Sequence, residues 1–126
     1  MFSHIMLGAN DVEASRAFYD ATFNALGYPP GEPDSLGRYY YRTGSGVFIV
    51  SRPRDGKEAY NGNGSTIGFL ASSPEAIDAW HAAGLAHGGQ SCEDPPGLRG
   101  GEHGKRYLAY LRDPAGNKIC ALHRMG

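Results

Sequence analysis

Few residues of this sequence carry side chains suited to chemistry, and they are scattered along it. His4 stands in "FSHIML", a histidine inside an apolar run, where it can serve as a metal ligand or sit as a hydrogen-bonded core residue. Cys120, in "GNKICAL", can likewise be a soft ligand or a small buried hydrophobe. Cys92 lies far from it in sequence without metal-type spacing, so free thiols are expected for both. His81, His87 and His123 have no partner at a ligand spacing and read as surface or packing residues. The stretch "PPGLRGGEHGKR" gathers Arg99, Glu102, His103, Lys105 and Arg106 between glycines. Such a loop acts as a mobile lid over a cleft or as a solvated connection. Arg99 and His103, in its interior, are the candidates for meeting an anionic ligand. "GGEHGK" is only superficially a phosphate loop, since it lacks the following Ser or Thr and the strand-to-helix context.

These residues need elements to position them. Residues 2–8 read as a strand, and the helix that follows has Asn10 as N-cap, Glu13 three residues on and Gly27 as its stop. Phe18, Tyr19, Thr22, Phe23 and Leu26 recur near helical spacing, which predicts one face lying on a sheet. After the loop "YPPGEPDSLG", the segments "RYYYRT" and "VFIVSRP" around "GSG" predict a β-hairpin. The second half restarts with a strand and a helix capped by Ser73 with Pro74 at its first position. The loop "EDPPGLRGGEHG" then leads to the hairpin "KRYLAYLR" and "NKICALHR", joined by "DPAG".

The restart is a repeat. An ungapped offset of 62 places Ser3 on Ser65, Ile5 on Ile67, Glu13 on Glu75, Phe18 on Trp80 and Gly27 on Gly89, while Arg42 and Arg112 hold matching places before the two turns. The 126 residues therefore form one domain of two modules, about 1–55 and about 63–126, each too small to bury its own sheet face. The expected class is α+β, with two curved sheets around a cleft and the helices outside.

Composition sets limits. A net charge of -1 with scattered Lys and Arg gives no basic stripe for nucleic acid, and no apolar run reaches membrane-spanning length. Neither nucleic acid nor membrane is an expected partner, and the cytoplasm is the expected compartment. In the strands, Tyr39 and Tyr41 share one face and Tyr40 takes the other, while Tyr107 and Tyr110 are on opposite faces. A cleft lined by Tyr and Phe would suit a planar or partly apolar small molecule, the alternative being ordinary sheet packing.

The opening "HIMLGANDVEASRAFYDATFNALGY" and the closing "YLAYLRDPAGNKICAL", in that order around a duplicated βαβββ unit, resemble the vicinal-oxygen-chelate superfamily. That group holds glyoxalase I, extradiol dioxygenases, fosfomycin-resistance transferases and bleomycin-resistance proteins. The resemblance implies a divalent metal held by side chains on the first and last strands of each module. Carried over by residue, these positions are His4, Thr66 by the offset, Cys120 in place of the closing glutamate, and either Phe48 or Val50. Such a set is too poor in donors for a typical catalytic centre. The expected function is therefore that of a small-molecule-binding protein with a degenerate metal site. Its cleft would be lined by His4, Phe48, Thr66, Arg99, His103, Tyr107 and Cys120, without a cofactor. The alternative is a glyoxalase-like lyase or related metal enzyme holding Ni, Zn, Mn or Fe through His4 and Cys120. The resemblance also implies a homodimer, as does the edge-strand exposure of so small a unit.

Overall fold

Both helices begin on a side-chain cap and end on a glycine, and the two ends show how closely the modules repeat. The computed structural model describes residues 1–126. In the first module β1 (His4–Gly8) leads to α1 (Val12–Ala25), then β2 (Glu32–Pro33), β3 (Tyr39–Thr43) and β4 (Gly46–Ser51). The second has β5 (Ile67–Leu70), α2 (Pro74–Ala86), β6 (Gln90–Ser91), β7 (Gly97–Arg99), β8 (Arg106–Arg112) and β9 (Lys118–Arg124). The order is βαβββ twice, with β7 added to the second copy inside the stretch expected to be loop.

The cap of α1 is Asp11, whose Oδ1 accepts from the Ala14 N–H at 3.0 Å, and not Asn10. Asn10 instead grips the intermodule linker, accepting from Ala59 N at 2.7 Å and donating to Ala59 O at 3.3 Å. The amide explains the division of labour: bridging the N–H and C=O of one residue takes a donor as well as an acceptor, and a carboxylate has no donor. Ser73 caps α2 as expected, accepting from Ala76 N at 3.1 Å. At the other end Gly27 (φ 89) and Gly88 (φ 91) take the left-handed conformation that closes a helix. The helix stop is therefore at Gly88, one residue before the Gly89 given by an ungapped offset, because α2 is one residue shorter.

The first sheet runs β1-β4-β3-β2 and the second β5-β9-β8-β6, with β7 also on β8. In each, the first strand lies parallel to the last: Ile5 pairs with Phe48 as Ile67 pairs with Ile119, and Met6 with Ile49 as Gly68 with Cys120. This register corrects one expectation. The first-module counterpart of Cys120 is neither Phe48 nor Val50 but Ile49, since a one-residue slip moves a side chain to the opposite face.

One face of each sheet and both helices share a core. Phe18 and Trp80, equivalent by the repeat, are both fully buried, and with Tyr19, Ile77, Leu111 and Ile119 they join the modules. α2 approaches closely because Gly84 has no side chain; a Cβ there would stand 2.4 Å from Leu111 Cδ1 and 3.2 Å from Phe18 Cε2. Polar contacts complete the joint. The carboxylate of Asp113, in the "DPAG" turn, receives the Tyr19 hydroxyl at 2.6 Å and Asn117 Nδ2 at 3.0 Å, and Asn117 Nδ2 also reaches Gly8 O at 3.1 Å. The turn of the second module is thus bolted to the helix and first strand of the first. Burial, helped by the Asp113 charge, pushes the Tyr19 phenol well above its ordinary range, so the proton stays in this bond.

Candidate functional site

The strands of both modules frame a cavity of about 320 Å³ at the seam between the two sheets. Its wall is aromatic: Phe23 and Tyr28 come from the end of α1 and the residues after it, Tyr41 and Phe48 from the first hairpin, and Phe69 from β5. Phe23, Phe48 and Phe69 contact one another edge-on, with centroids 4.9 to 5.4 Å apart. Polar groups stand elsewhere in the lining: Ser3 and His4 at the start of β1, and Thr43 and Ser45 at the first hairpin turn. Such a mixture suits a small apolar or aromatic molecule oriented by a few hydrogen bonds.

His4 heads β1 opposite Val47, is exposed, and has Nδ1 2.8 Å from Ser3 Oγ. Phe48 lines the cavity from the helix-facing side of its sheet. Thr66, exposed, precedes β5 and is outside the cavity lining. Cys120 is also outside it, buried on β9 beside Gly68 of β5, where a Cβ on Gly68 would come within 3.1 Å of its Sγ. Burial pushes the Cys120 thiol up to about 11, and the Glu93 charge adds to the effect. The sulfur is therefore held as a neutral thiol and is a poor base.

The remaining expected residues lie elsewhere. Tyr107 is on the helix-facing side and donates its hydroxyl to Asp78 Oδ1 of α2 at 2.7 Å. This corrects its placement in the cleft. Tyr39 and Tyr41 act similarly, donating to Glu13 at 2.7 Å and Asp20 at 2.8 Å, so a phenol-to-carboxylate bond recurs wherever a helix rests on strand tyrosines. Tyr40 and Tyr110 are the tyrosines that face away from the helices. Tyr40 lies under Arg38 and Arg42, and Tyr110 under Lys118. Arg99 belongs to β7 and not to a mobile loop; its Nη2 donates to the carbonyls of Asp94 at 3.3 Å and Pro95 at 3.0 Å. His103 is exposed in the turn before β8, with Nε2 3.8 Å from Glu102. Neither lines the cavity.

The four positions implied for a metal are now defined as His4, Ile49, Thr66 and Cys120. They do not fit a typical metal centre: one is aliphatic and one is a hydroxyl, which leaves one imidazole and one buried thiol where three or more donors are needed. No three His, Cys, Asp or Glu side chains converge anywhere in the chain. The aromatic lining residues that sequence reasoning did not assign to the cleft are Phe2, Phe23, Tyr28, Tyr41 and Phe69. Helical and strand periodicity marks Phe23, Tyr41 and Phe69 as core, and only the gap between the sheets makes them a lining.

Comparison with known proteins agrees with this architecture. A family model described as the Glyoxalase/Bleomycin resistance protein/Dioxygenase superfamily matches residues 1–121. A glyoxalase/bleomycin resistance protein from Albidiferax ferrireducens T118 is 59% identical, with 98% of this chain and 99% of that one covered and a TM-score of 0.96. A glyoxalase-related enzyme from Fulvimarina pelagi shares the fold at 21% identity, covering 98% and 88% of the two chains with a TM-score of 0.72. A lactoylglutathione lyase from Agrobacterium tumefaciens does so at 20% identity, covering 98% and 92% with a TM-score of 0.66. No curated protein matches the chain.

Proposed function

The chain belongs to the glyoxalase/bleomycin resistance/dioxygenase superfamily, and we propose that it works as a small-molecule-binding protein in which the seam cavity, and not a metal, holds the ligand. The observation that carries this reading is the make-up of the cavity: six aromatic rings for contact, Phe2 among them, with Ser3, His4, Thr43 and Ser45 to orient a polar substituent. A planar or partly apolar molecule fits that chemistry. The reading places the protein in the cytoplasm with Cys92 and Cys120 as free thiols. It also pairs two copies, for which Phe2, Met6 and Leu70 supply exposed apolar surface. A single monomeric species in light scattering at micromolar concentration would remove the pairing.

The test has two arms. Chelator-stripped protein titrated calorimetrically with Ni(II), Zn(II), Mn(II) and Fe(II) should give no stoichiometric binding, while a panel of small planar aromatics should contain compounds that raise the melting temperature. Ser45→Trp, placed in the turn that borders the cavity, should abolish that rise. One tightly bound metal per chain, lost in His4→Ala, would overturn the reading. It would turn attention to the alternative, a metal-dependent lyase or related enzyme of the superfamily.

A further inference from the structure

The two long strands of the second sheet carry an arrangement that the cavity does not use. The register sets Arg99 of β7 opposite Arg106 of β8, and Arg106 opposite Arg124 of β9. Directly opposed residues of antiparallel strands project to the same side, so three arginines start in a row across three strands, with Cβ atoms about 5 Å from one to the next. The side is the one that carries Tyr110 and Cys120, away from the helices, since both lie an even number of residues from the row. Like charges directly opposite one another oppose folding, so such a row is expected to be interleaved with carboxylates.

It is not. None of the three arginines forms an ion pair within the chain, although other arginines do: Arg16 with Asp20, Arg38 with Asp34 and Arg42 with Glu32. Glu102, the acidic residue of the adjoining turn, points to His103. The Arg106 Nε is in addition buried and meets no acceptor within the chain. A buried guanidinium N–H without an acceptor costs free energy, so nothing within the chain compensates this arginine for its place in the row. Arg99 is already fixed in place. It folds back over Gly97, where a Cβ would lie 3.2 Å from Nη1, and its Nη2 is held by the Asp94 and Pro95 carbonyls.

We propose that Arg106 and Arg124, flanked by Arg99, form a binding site for a small dianion bearing a phosphoryl or dicarboxylate group. Guanidinium forks match the paired oxygens of both groups, and a dianion satisfies more than one fork at once. The dianion offsets the repulsion along the row. The site stands independently of the seam cavity, because it uses none of the residues that line it.

The test is calorimetry and thermal melting of the full chain at low ionic strength with inorganic phosphate, pyrophosphate and succinate as probes. Phosphates and succinate separate the phosphoryl from the dicarboxylate source, and binding of either class at one per chain supports the site. Arg124→Gln and Arg106→Gln should each weaken that binding by about tenfold or more, while Arg54→Gln, on the intermodule loop, should leave it unchanged. Without anion, Arg124→Gln should melt at the same temperature as the parent or higher, because it relieves repulsion. Because Arg124 is exposed, that variant gives a result even if Arg106→Gln fails to fold. Absence of binding by all three probes, equal loss in Arg54→Gln, or a lowered melting temperature for anion-free Arg124→Gln would overturn the proposal.

Discussion

The two hairpin turns of the repeat begin on the same hydrogen bond and end in different circumstances. Thr43, before the first turn, accepts from the N–H two residues on, Ser45, at 3.2 Å; Asp113, at the matching place, accepts from Ala115 N at 3.0 Å. There the likeness stops. Thr43 also donates to Gly46 O at 3.2 Å and so keeps its bonds within its own turn, which stays open and borders the cavity. Asp113 has a second oxygen, and with it reaches Tyr19 in the other module. Duplication thus supplied two equivalent turns, and one side-chain oxygen more or less decided which would lock the modules and which would line a site.

The largest effect is expected where the lock is cut. Asp113→Ala leaves the Tyr19 hydroxyl, Asn117 Nδ2 and the N–H groups of Ala115 and Asn117 short of an acceptor in a buried place. A loss of about 3 kcal/mol or more is expected, measurable by urea unfolding. The same substitution at the open turn, Thr43→Ala, should cost about 0.5 kcal/mol, since its bonds lie near solvent. Equal losses would mean that the lock contributes nothing beyond turn formation.

A smaller effect sharpens the same contrast through pH. Tyr19→Phe removes one donor from Asp113 and should cost about 1 kcal/mol at neutral pH. The Tyr19 pKa is raised on folding, so its contribution is full below the unfolded tyrosine value of about 10 and is lost as pH climbs through the folded one. Alkaline unfolding of the parent should therefore be steeper than that of Tyr19→Phe. Tyr41, also pushed up by burial and by Asp20, contributes in the same sense and remains in both proteins. Parallel stability profiles above pH 10 would show that the Tyr19 proton is not held in the folded state.

Much of the scaffold is legible in the sequence because its signals are local. Ser73 and Pro74 announce α2, the glycine turns announce both hairpins, and the offset of 62 pairs Phe18 with Trp80 before any contact is known. What is not legible depends on register or on distance. Asn10 and Asp11 both have cap chemistry, and only the position of Ala59, brought near by the fold, assigns Asn10 to the linker. Ile49 is identified as the counterpart of Cys120 by strand pairing, which turn lengths do not reveal. The "DPAGN" motif reads as a turn, yet its partner Tyr19 is 94 residues away. The arginine row is invisible for the same reason, being built from three strands whose alignment no local pattern fixes.

The smallest expected effect asks whether the lock can be copied. By the offset of 62, the counterpart of Tyr19 is His81 on α2, and the counterpart of Asp113, by its place in the turn, is Thr43. A symmetric second lock would run from His81 to residue 43, and Thr43→Asp supplies the missing carboxylate. Yet His81 is already engaged with Ser91, its Nε2 standing 3.2 Å from the serine Oγ, and burial pushes its pKa down, so it favours the neutral ring. A neutral, engaged imidazole gives a new carboxylate little to bind. Thr43→Asp should accordingly change stability by no more than about 0.5 kcal/mol in urea unfolding. A gain above about 1 kcal/mol, abolished by His81→Ala, would show instead that both turns can lock and that the open one is open only for want of a side chain.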